Sequence, residues 1–479
     1  MGKTNIEAEN ARLKKELSAL KKQNKKLSQK LEKTKGKTED LKKELKKKRR
    51  ADNQIEQRTR TVTFEPVRRH GYSEIIVRLS TLLYTRINCG LRQVVKVLEV
   101  MDETFDGLLG KIPCHNTIEN WVKKCGLKVY EDAGESLQDT DYAEIVDESM
   151  MIGSEKLLLT IGVPAKHQGR PLDYTDVNML DIAIANSWNG EKIGKHLVKA
   201  GQKVGHDPLY VISDNASVMN KGVRCAEMNH QHDISHSLGM YLERTYKNES
   251  DFINYVKLMS ESKVKHNMKE IAYLLPPTQR TISRFINLSG WVKWSAKMLD
   301  IYHTLTPDEK KTFSFIPANA SLIDELSDVV KCVERIEHTC KHKGLSKKTA
   351  SECQDIIRTN LLCGNSRTVK LGECIMDFFR KEIMLIGTKV TVHNNSSDII
   401  ESLFGKYKAR KSPNKLYGIT SHILFMPIHV ALRDKKQARS FNFKAALEDK
   451  RIGQIDLWAK ENLSPNLVQM RTKCLQKAG

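Results

Sequence analysis

The sequence predicts a mixed α/β core that is interrupted by an all-α insertion domain and preceded by two helical segments. Three observations lead to this prediction. Apolar runs of strand length cluster between residues 136 and 216. Helical periodicity then dominates the 187 positions (401 minus 214) from Asp214 to Glu401. The chain also begins with a strongly basic stretch whose apolar residues recur at heptad spacing.

Bulk composition narrows the class of partner. The 479 residues include 80 Lys plus Arg against 58 Asp plus Glu, a formal net charge of +22, which favours nucleic acid. No stretch approaches 18 consecutive apolar residues and the N-terminus is polar and Lys-rich, so we expect neither a membrane span nor a signal peptide. We expect a cytoplasmic protein, associated with the nucleoid if it is bacterial. Its ten cysteines form no CxxC pair, which suits reduced thiols.

Residues 1–57 are predicted to form a basic coiled coil. Its seam positions alternate in steps of three and four and carry Ile6, Leu13, Leu17, Leu20, Leu27, Leu31, Leu41 and Leu45, with Asn10, Asn24, Thr34 and Thr38 at the remaining positions. A buried asparagine at an a position favours a parallel, in-register dimer, and Asn24 occupies such a position. We therefore expect a homodimer or higher oligomer. A single solvated helix or a disordered basic tail is the alternative.

Residues 58–135 are predicted to form a small helical DNA-binding domain. Two helical patterns run over residues 72–83 and 91–101, and a third helix is expected to start near His115 or Asn116 and to end at Gly126. Ile118, Trp121, Val122 and Cys125 give this third helix an apolar face.

The opposite face of the third helix is polar. In a helix-turn-helix, such a face could meet base edges and phosphates, and it carries His115, Asn116, Glu119, Asn120 and Lys123. Short amphipathic helices are common, so a purely structural role is the alternative.

Residues 136–245 carry the pattern of strands that defines the core. Runs over residues 142–150, 156–163 and 178–185 predict three strands, followed by a helix over residues 190–200 and a fourth strand, LYVISD, ending at Asp214. Short turns make the first three strands an antiparallel meander, and the helix returns the chain for a parallel fourth strand. This order is the one that an RNase H-like fold requires.

In that topology the first and fourth strands lie side by side, which would bring Asp147 next to Asp214. Two adjacent carboxylates repel each other unless a cation lies between them. We therefore expect two Mg²⁺ ions, replaceable by Mn²⁺, as used in phosphodiester chemistry. Asp214 could instead cap the next helix, although Asn215 is the better candidate for the cap.

A third metal ligand is expected from a helix within residues 395–430, the final piece of the core. Ser396 or Ser397 can cap this helix, and Glu401 is the expected ligand. Asp398 is the alternative, although a carboxylate in the first turn can serve only the helix dipole.

These acids resemble the DDE triad of cut-and-paste DNA transposases from insertion sequences. Asp147 lies in IVDES, Asp214 in VISDNA and Glu401 in SDIIESLFG, and the fragment DISH, ending in His236, is similar to a motif of Mutator-like and hAT-like enzymes. Those families more often have Cys at the position of Asp233. The resemblance covers residues 80–430 and implies an all-α insertion within the catalytic core.

Residues 246–394 would form that insertion. Within it, Trp291 and Trp294 are expected in the core, although an insertion tryptophan packs on a flipped base in similar enzymes. One group of possible zinc ligands matches no familiar spacing: Cys332, His338, Cys340 and His342. Residues 431–479 are expected to form a basic helical tail, in which residues 433–444 could track DNA or form a solvated helix face.

The resulting expectation is a DNA transposase that cleaves transposon ends and transfers the freed strand into target DNA. Asp147, Asp214 and Glu401 would hold magnesium, and His236 would contact the scissile phosphate or shape the site. Basic residues beyond Glu401 would steer the DNA backbone: Lys406, Lys408 and Arg410. An RNase H-like nuclease without strand transfer and a domesticated, non-catalytic DNA-binding protein are the alternatives.

Overall fold

The computed structural model describes residues 66–477 except 88, 150, 153–154, 278–284, 286–287, 412–417 and 465–466, together with residues 20, 21, 25 and 26. The predicted coiled coil over residues 1–57 therefore lies, apart from those four positions, outside the described residues. The described residues from 66 onward belong to the larger of two units.

A five-stranded mixed sheet forms the centre of the larger unit, which confirms the mixed α/β class. Its strands are β1 (Tyr142–Glu148), β2 (Lys156–Pro164), β3 (Asn178–Ala185), β4 (Val211–Ser213) and β5 (His230–His232), in the spatial order β3-β2-β1-β4-β5. The pairs β1–β2 and β2–β3 are antiparallel, whereas β1–β4 and β4–β5 are parallel. The predicted meander and the parallel placement of the fourth strand beside the first are both confirmed.

The two faces of the sheet are buried under different layers, as strands with long apolar runs require. Val146 of β1 and Val211 of β4 pack under α4 (Gly190–Val204) and α5 (Ser217–Cys225). On the opposite face, Ile145 and Ile212 belong to a larger core that includes Leu403 of α14 (Asp398–Lys408). Packing in this larger core therefore brings α14 against the sheet.

The N-terminal helices share that larger core with the sheet. They are α1 (Glu74–Arg86), α2 (Leu91–Thr104) and α3 (His115–Asp132). The predicted start of α3 is confirmed, but its predicted end at Gly126 is wrong. A Cβ on Gly126 would stand 1.9 Å from the carbonyl oxygen of Leu424, so this glycine allows a close approach of two segments instead of ending the helix.

The insertion is helical throughout its described elements and has a hydrophobic core of its own. Its helices, with α6 leading into it, are α6 (Ile234–Tyr246), α7 (Ser250–His266), α8 (Leu288–Ile301), α9 (Pro307–Thr312), α10 (Phe315–Ala318), α11 (Ala320–Lys343), α12 (Lys347–Asn360) and α13 (Ser366–Glu382). Trp291 and the half-buried Trp294 both pack in this core. The indole N–H of Trp294 also donates to the carbonyl of Leu274 at 3.0 Å.

Five short α-helices follow α14 among the described residues, and the first four of them contribute to the larger core. They are α15 (Phe425–Ala431), α16 (Lys435–Ser440), α17 (Phe443–Asp449), α18 (Ile452–Asn462) and α19 (Leu467–Lys477). Ala438 and Phe443 are buried, so part of the segment 433–444 packs against the protein. Within the described part of the chain, no helix combines the length and the apolar character needed to cross a bilayer.

Candidate carboxylate site

Asp147 and Asp214 lie at the same end of two neighbouring parallel strands. Ile145 pairs with Ile212 across β1 and β4, and each aspartate follows its isoleucine by two residues. Asp147 lies within β1, whereas β4 ends at Ser213, one residue before its predicted end at Asp214. Because side chains alternate along a strand and Asp214 follows β4 directly, both aspartates are expected on the face that carries these isoleucines. This is the face that α14 covers, and α14 packs directly on β1.

The carboxyl group of Asp147 is held in an unfavourable environment for a negative charge. Burial and the nearby Asp214 raise its pKa to about 7, and Glu401 adds to the effect. The backbone N–H of Glu148 donates to Asp147 Oδ1 at 2.7 Å, and His236 also favours the ionised form. The charges of Asp147, Asp214 and Glu401 therefore influence one another, and His236 only partly offsets the effect on Asp147.

Asp214 contacts the start of α5. Its Oδ1 accepts a hydrogen bond from the backbone N–H of Ala216 at 3.0 Å, and Ala216 is the N-cap residue of the helix. The expectation that Asn215 caps this helix is wrong. The Asn215 side chain instead donates to Ser237 Oγ at 2.8 Å, because α6 packs beside it.

Glu401 and His236 form a direct contact above the two aspartates. His236 Nε2 lies 3.1 Å from Glu401 Oε1. Burial lowers the pKa of His236, but the Glu401 contact and the charges of Asp233, Asp147 and Asp214 outweigh it and raise this pKa to about 9. The same contact holds the pKa of Glu401 below its ordinary value. At neutral pH the pair is therefore an ion pair beside the aspartates.

Asp233 connects the helix of His236 to the helix of Glu401. Its fully buried side chain caps α6, where Oδ1 accepts from the His236 backbone N–H at 2.7 Å. Oδ2 accepts from Ser397 N at 2.6 Å and from Ser397 Oγ at 3.0 Å. Ser397 is the N-cap residue of α14, so Asp233 fixes the starts of both helices relative to each other.

Asp398, the alternative third ligand, is engaged elsewhere. It forms an ion pair with Lys341 of α11, and Lys341 also contacts Glu337 at 2.6 Å. The side chain of Asp398 is 56% exposed. Lys341 was not predicted from the sequence, because no pattern in the segment CKHK links it to an acid 57 positions away (398 minus 341).

Three basic residues were expected to steer DNA toward the acids, and they have different surroundings. Lys408 is half-buried, and burial lowers its pKa while the charges of Asp147 and Glu401 oppose this effect. Lys406 is exposed on α14. Arg410 stacks between two aromatic rings instead, at 4.4 Å from the centre of Tyr84 and 4.3 Å from that of Phe425.

The polar face of α3 is also divided. Asn116 and Asn120 are exposed, whereas His115 and Lys123 line a cavity together with Glu119. Lys123 forms an ion pair with Glu119 at 2.6 Å. Only part of the predicted base-reading surface is therefore open to solvent.

The four side chains whose spacing matched no familiar zinc site do not form a cluster. Cys332 and Cys340 are buried, and Cys340 Sγ lies 3.8 Å from Cys353 Sγ. His338 and His342 stack on each other at 3.9 Å between ring centres and are exposed. The two pairs occupy different faces of α11, as their burial shows.

The fit of a divalent ion depends on the donor set at the sheet edge. Across the described residues, no group of three or more His, Cys, Asp and Glu side chains already stands in a metal-binding arrangement. Asp147 and Asp214 nevertheless supply the hard oxygen ligands that Mg²⁺ prefers, and burial together with the charge of Asp214 raises the pKa of Asp147. Glu401 would join them by sharing or exchanging its contact with His236.

Comparison of the chain with protein families and with curated proteins finds no match.

Proposed function

We propose that this protein is a metal-dependent DNA transposase with an RNase H-like catalytic core. The observation that carries the proposal is the position of Asp147 and Asp214 at one end of adjacent parallel strands, under the helix that bears Glu401. The strand order β3-β2-β1-β4-β5, antiparallel on one side of β1 and parallel on the other, supports the RNase H-like assignment. The excess of positive charge supports a nucleic-acid substrate.

Each acid has a defined task in this proposal. Asp147, Asp214 and Glu401 would hold two Mg²⁺ ions, or Mn²⁺ in their place. When bound, such ions activate a water or a 3′ hydroxyl and stabilise the leaving oxygen of the phosphodiester. The three side chains act only as ligands, so DNA cleavage and strand transfer need no covalent bond to the protein.

The neighbouring basic residues would orient the DNA. His236 is protonated at neutral pH because its pKa is about 9, so it can donate to a phosphate oxygen or hold Glu401 in place. Lys408 adds a cation close to Asp147 and Glu401. Double-stranded DNA is the proposed partner, and the basic coiled coil is proposed to assemble the chain as a homodimer or larger oligomer.

The test uses the full chain, Mg²⁺, DNA fragments from the regions that flank its gene, and a supercoiled target plasmid. We expect Mg²⁺-dependent strand cleavage and joining to the plasmid. Both activities should fall more than ~100-fold in Asp147→Asn, Asp214→Asn and Glu401→Gln. Loss of a metal ligand should reduce activity at least as much as loss of a group that orients a ligand. Matched controls are Asp139→Asn and Glu373→Gln, which remove one exposed acid each.

The outcomes separate the function classes. Cleavage without joining would indicate a nuclease that uses the same acids. DNA binding without cleavage would indicate a non-catalytic DNA-binding protein. Full activity of Asp214→Asn, in a preparation free of contaminating nuclease, would exclude the proposed role of the carboxylates.

A further inference from the structure

A cavity of about 750 Å³ lies between the N-terminal helices and the segment that follows α14. His115, Glu119 and Lys123 of α3 form part of its lining, and Arg410, Lys411 and His422 form another part. Its volume falls within the range of pockets that hold small organic ligands. It is more than an isolated inorganic anion would need.

The lining of this cavity is strongly basic. Among the described residues, four cationic side chains contribute to it, namely Arg92, Lys123, Arg410 and Lys411, against the single carboxylate of Glu119. The lining thus has an excess of three positive charges (four minus one), and Glu119 is already paired with Lys123 at 2.6 Å. An anionic ligand would offset the mutual repulsion of the remaining cations.

Arg410 is held in a fixed orientation at this cavity. Its guanidinium lies between the rings of Tyr84 and Phe425, at 4.4 and 4.3 Å from their centres. The Tyr84 hydroxyl contacts His422 Nε2 at 2.8 Å, which fixes one of these rings in turn. Arg410 Nε is buried and, among the described residues, has no hydrogen-bond partner. A stacked guanidinium is well suited to bind phosphate because little of its freedom is lost on binding.

The first backbone N–H groups of α2 also lie at this cavity. The helix begins at Leu91, with Gly90 as its N-cap residue, and both residues line the cavity. Glycine has no side chain that could accept from the first N–H groups of the helix. The start of a helix favours an anion, which reinforces the charge of the side chains.

We propose that this cavity binds a nucleotide through its phosphate group. The cationic side chains and the start of α2 would hold the phosphate, and the remaining volume would take the sugar and base. The nucleotide could be a free one or part of a DNA strand. The site is separate from the carboxylates, since Arg410 follows Glu401 by nine residues, or about 13 Å if measured along a continuous helix.

A nucleotide in this cavity would give α3 a different contact with nucleic acid from the one expected of a helix-turn-helix. As part of a helix-turn-helix, His115 and Lys123 were expected to meet base edges and phosphates. Lining a cavity opposite Arg410, they would instead contact one nucleotide at a time. The inference does not depend on the metal chemistry proposed above.

The test measures binding by titration calorimetry of the full chain in EDTA, with thymidine 5′-monophosphate, thymidine, inorganic phosphate and a four-residue thymidine oligonucleotide. We expect the monophosphate to bind at least tenfold more tightly than thymidine or inorganic phosphate. The double variant Arg92→Gln, Lys411→Gln should weaken its binding at least tenfold. Arg92 is exposed and Lys411 is only partly buried, so the variant should fold.

The matched control is Arg335→Gln, Lys370→Gln, which removes one arginine and one lysine from exposed positions in the insertion. Tighter binding of the oligonucleotide than of the monophosphate would identify a DNA strand as the source, and the reverse would identify a free nucleotide. Equal binding of thymidine and its monophosphate, or an equal loss in the control variant, would overturn the proposal. Asp214→Asn should bind the monophosphate as tightly as the wild type does. A failure of the proposed carboxylate site would thus leave nucleotide binding at the cavity unchanged.

Discussion

His236 Nε2 lies 3.1 Å from Oε1 of Glu401, a residue 165 positions further along the chain. The contact joins α6, which follows the last strand, to α14, which covers the aspartates. It places a protonated imidazole where three carboxylates would otherwise repel one another, since the charges of Asp147 and Asp214 also raise the pKa of His236.

The first prediction concerns the contribution of His236 to stability. Its pKa of about 9 in the folded chain lies above the ordinary 6.5, so its stabilising effect is complete below pH 6.5 and disappears as the pH rises through 9. His236→Asn should therefore lower the free energy of unfolding by roughly 1 kcal/mol or more at pH 6.5, and by less at pH 9.5.

Urea denaturation at both pH values measures this difference. His303→Asn is the control, because His303 is exposed. An equal loss of stability at the two pH values in His236→Asn would contradict the assigned ion pair.

The second prediction concerns the charge on Asp147. Its pKa of about 7 lies above the ordinary 3.8, so the folded state holds this proton more tightly and loses stability as the pH rises from about 4 to 7. In EDTA at pH 8, Asp147→Asn should be as stable as the wild type or more stable by about 1 kcal/mol. Millimolar Mn²⁺ should raise the melting temperature of the wild type more than that of the variant.

Thermal melts with and without Mn²⁺ check this prediction, with Asp139→Asn as the control. If Asp147→Asn were much less stable than the wild type in EDTA, the carboxylate would have a structural role. The ionised Asp147 would then not destabilise the folded state, contrary to its raised pKa.

The third prediction concerns Asp233, which joins the starts of α6 and α14. Asp233→Ala would leave three donors unpaired in a buried place, the N–H groups of His236 and Ser397 and the Ser397 hydroxyl. We expect a loss of about 3 kcal/mol or more in the free energy of unfolding. Asp233→Asn keeps one acceptor and should lose less.

Asp434→Ala provides the comparison. Asp434 also caps a helix, accepting from the N–H groups of Lys436 and Gln437, but it is much less buried than Asp233. Its loss should cost clearly less stability than the loss of Asp233, as is typical of a surface cap. Similar losses in Asp233→Ala and Asp434→Ala would show that Asp233 is merely a cap.

The fourth prediction concerns the close approach of α3 to Leu424. A Cβ at Gly126 would stand 1.9 Å from the Leu424 carbonyl oxygen, so Gly126→Ala must move one backbone segment. We expect a loss of about 3 kcal/mol or more, as for overpacked cores. Gly405→Ala should instead stabilise by up to about 1 kcal/mol, because nothing lies within 4 Å of its added Cβ. Equal stability of the two variants in urea would contradict the packing.

The sequence predicted four of the five strands because these four are delimited by local signals, whereas it did not predict β5, which has only three residues. The apolar runs that end at Asp147 and Asp214 are too short for helices and are separated by turns, so their order followed from connection lengths. The adjacency of the two aspartates followed from that order.

The errors arose where distant segments meet. A glycine can mark either the end of a helix or a close approach of two segments, and the sequence does not distinguish these roles. At Gly126 the nearby Leu424 carbonyl shows that the second role applies. The aromatic rings that hold Arg410 lie on α1 and α15, far apart in the chain. The second contact of Asp233, with Ser397, spans 164 positions and has no local pattern.

The most direct test of the central claim is metal-directed cleavage of the polypeptide. Fe²⁺ bound in place of Mg²⁺ generates hydroxyl radicals with ascorbate and peroxide, which cut the backbone near its ligands. In the full chain with DNA, we predict cuts close to residues 147, 214 and 401, suppressed by excess Mg²⁺ and lost together in Asp214→Asn. Cuts elsewhere, or cuts that persist at all three positions in Asp214→Asn, would contradict a shared metal site.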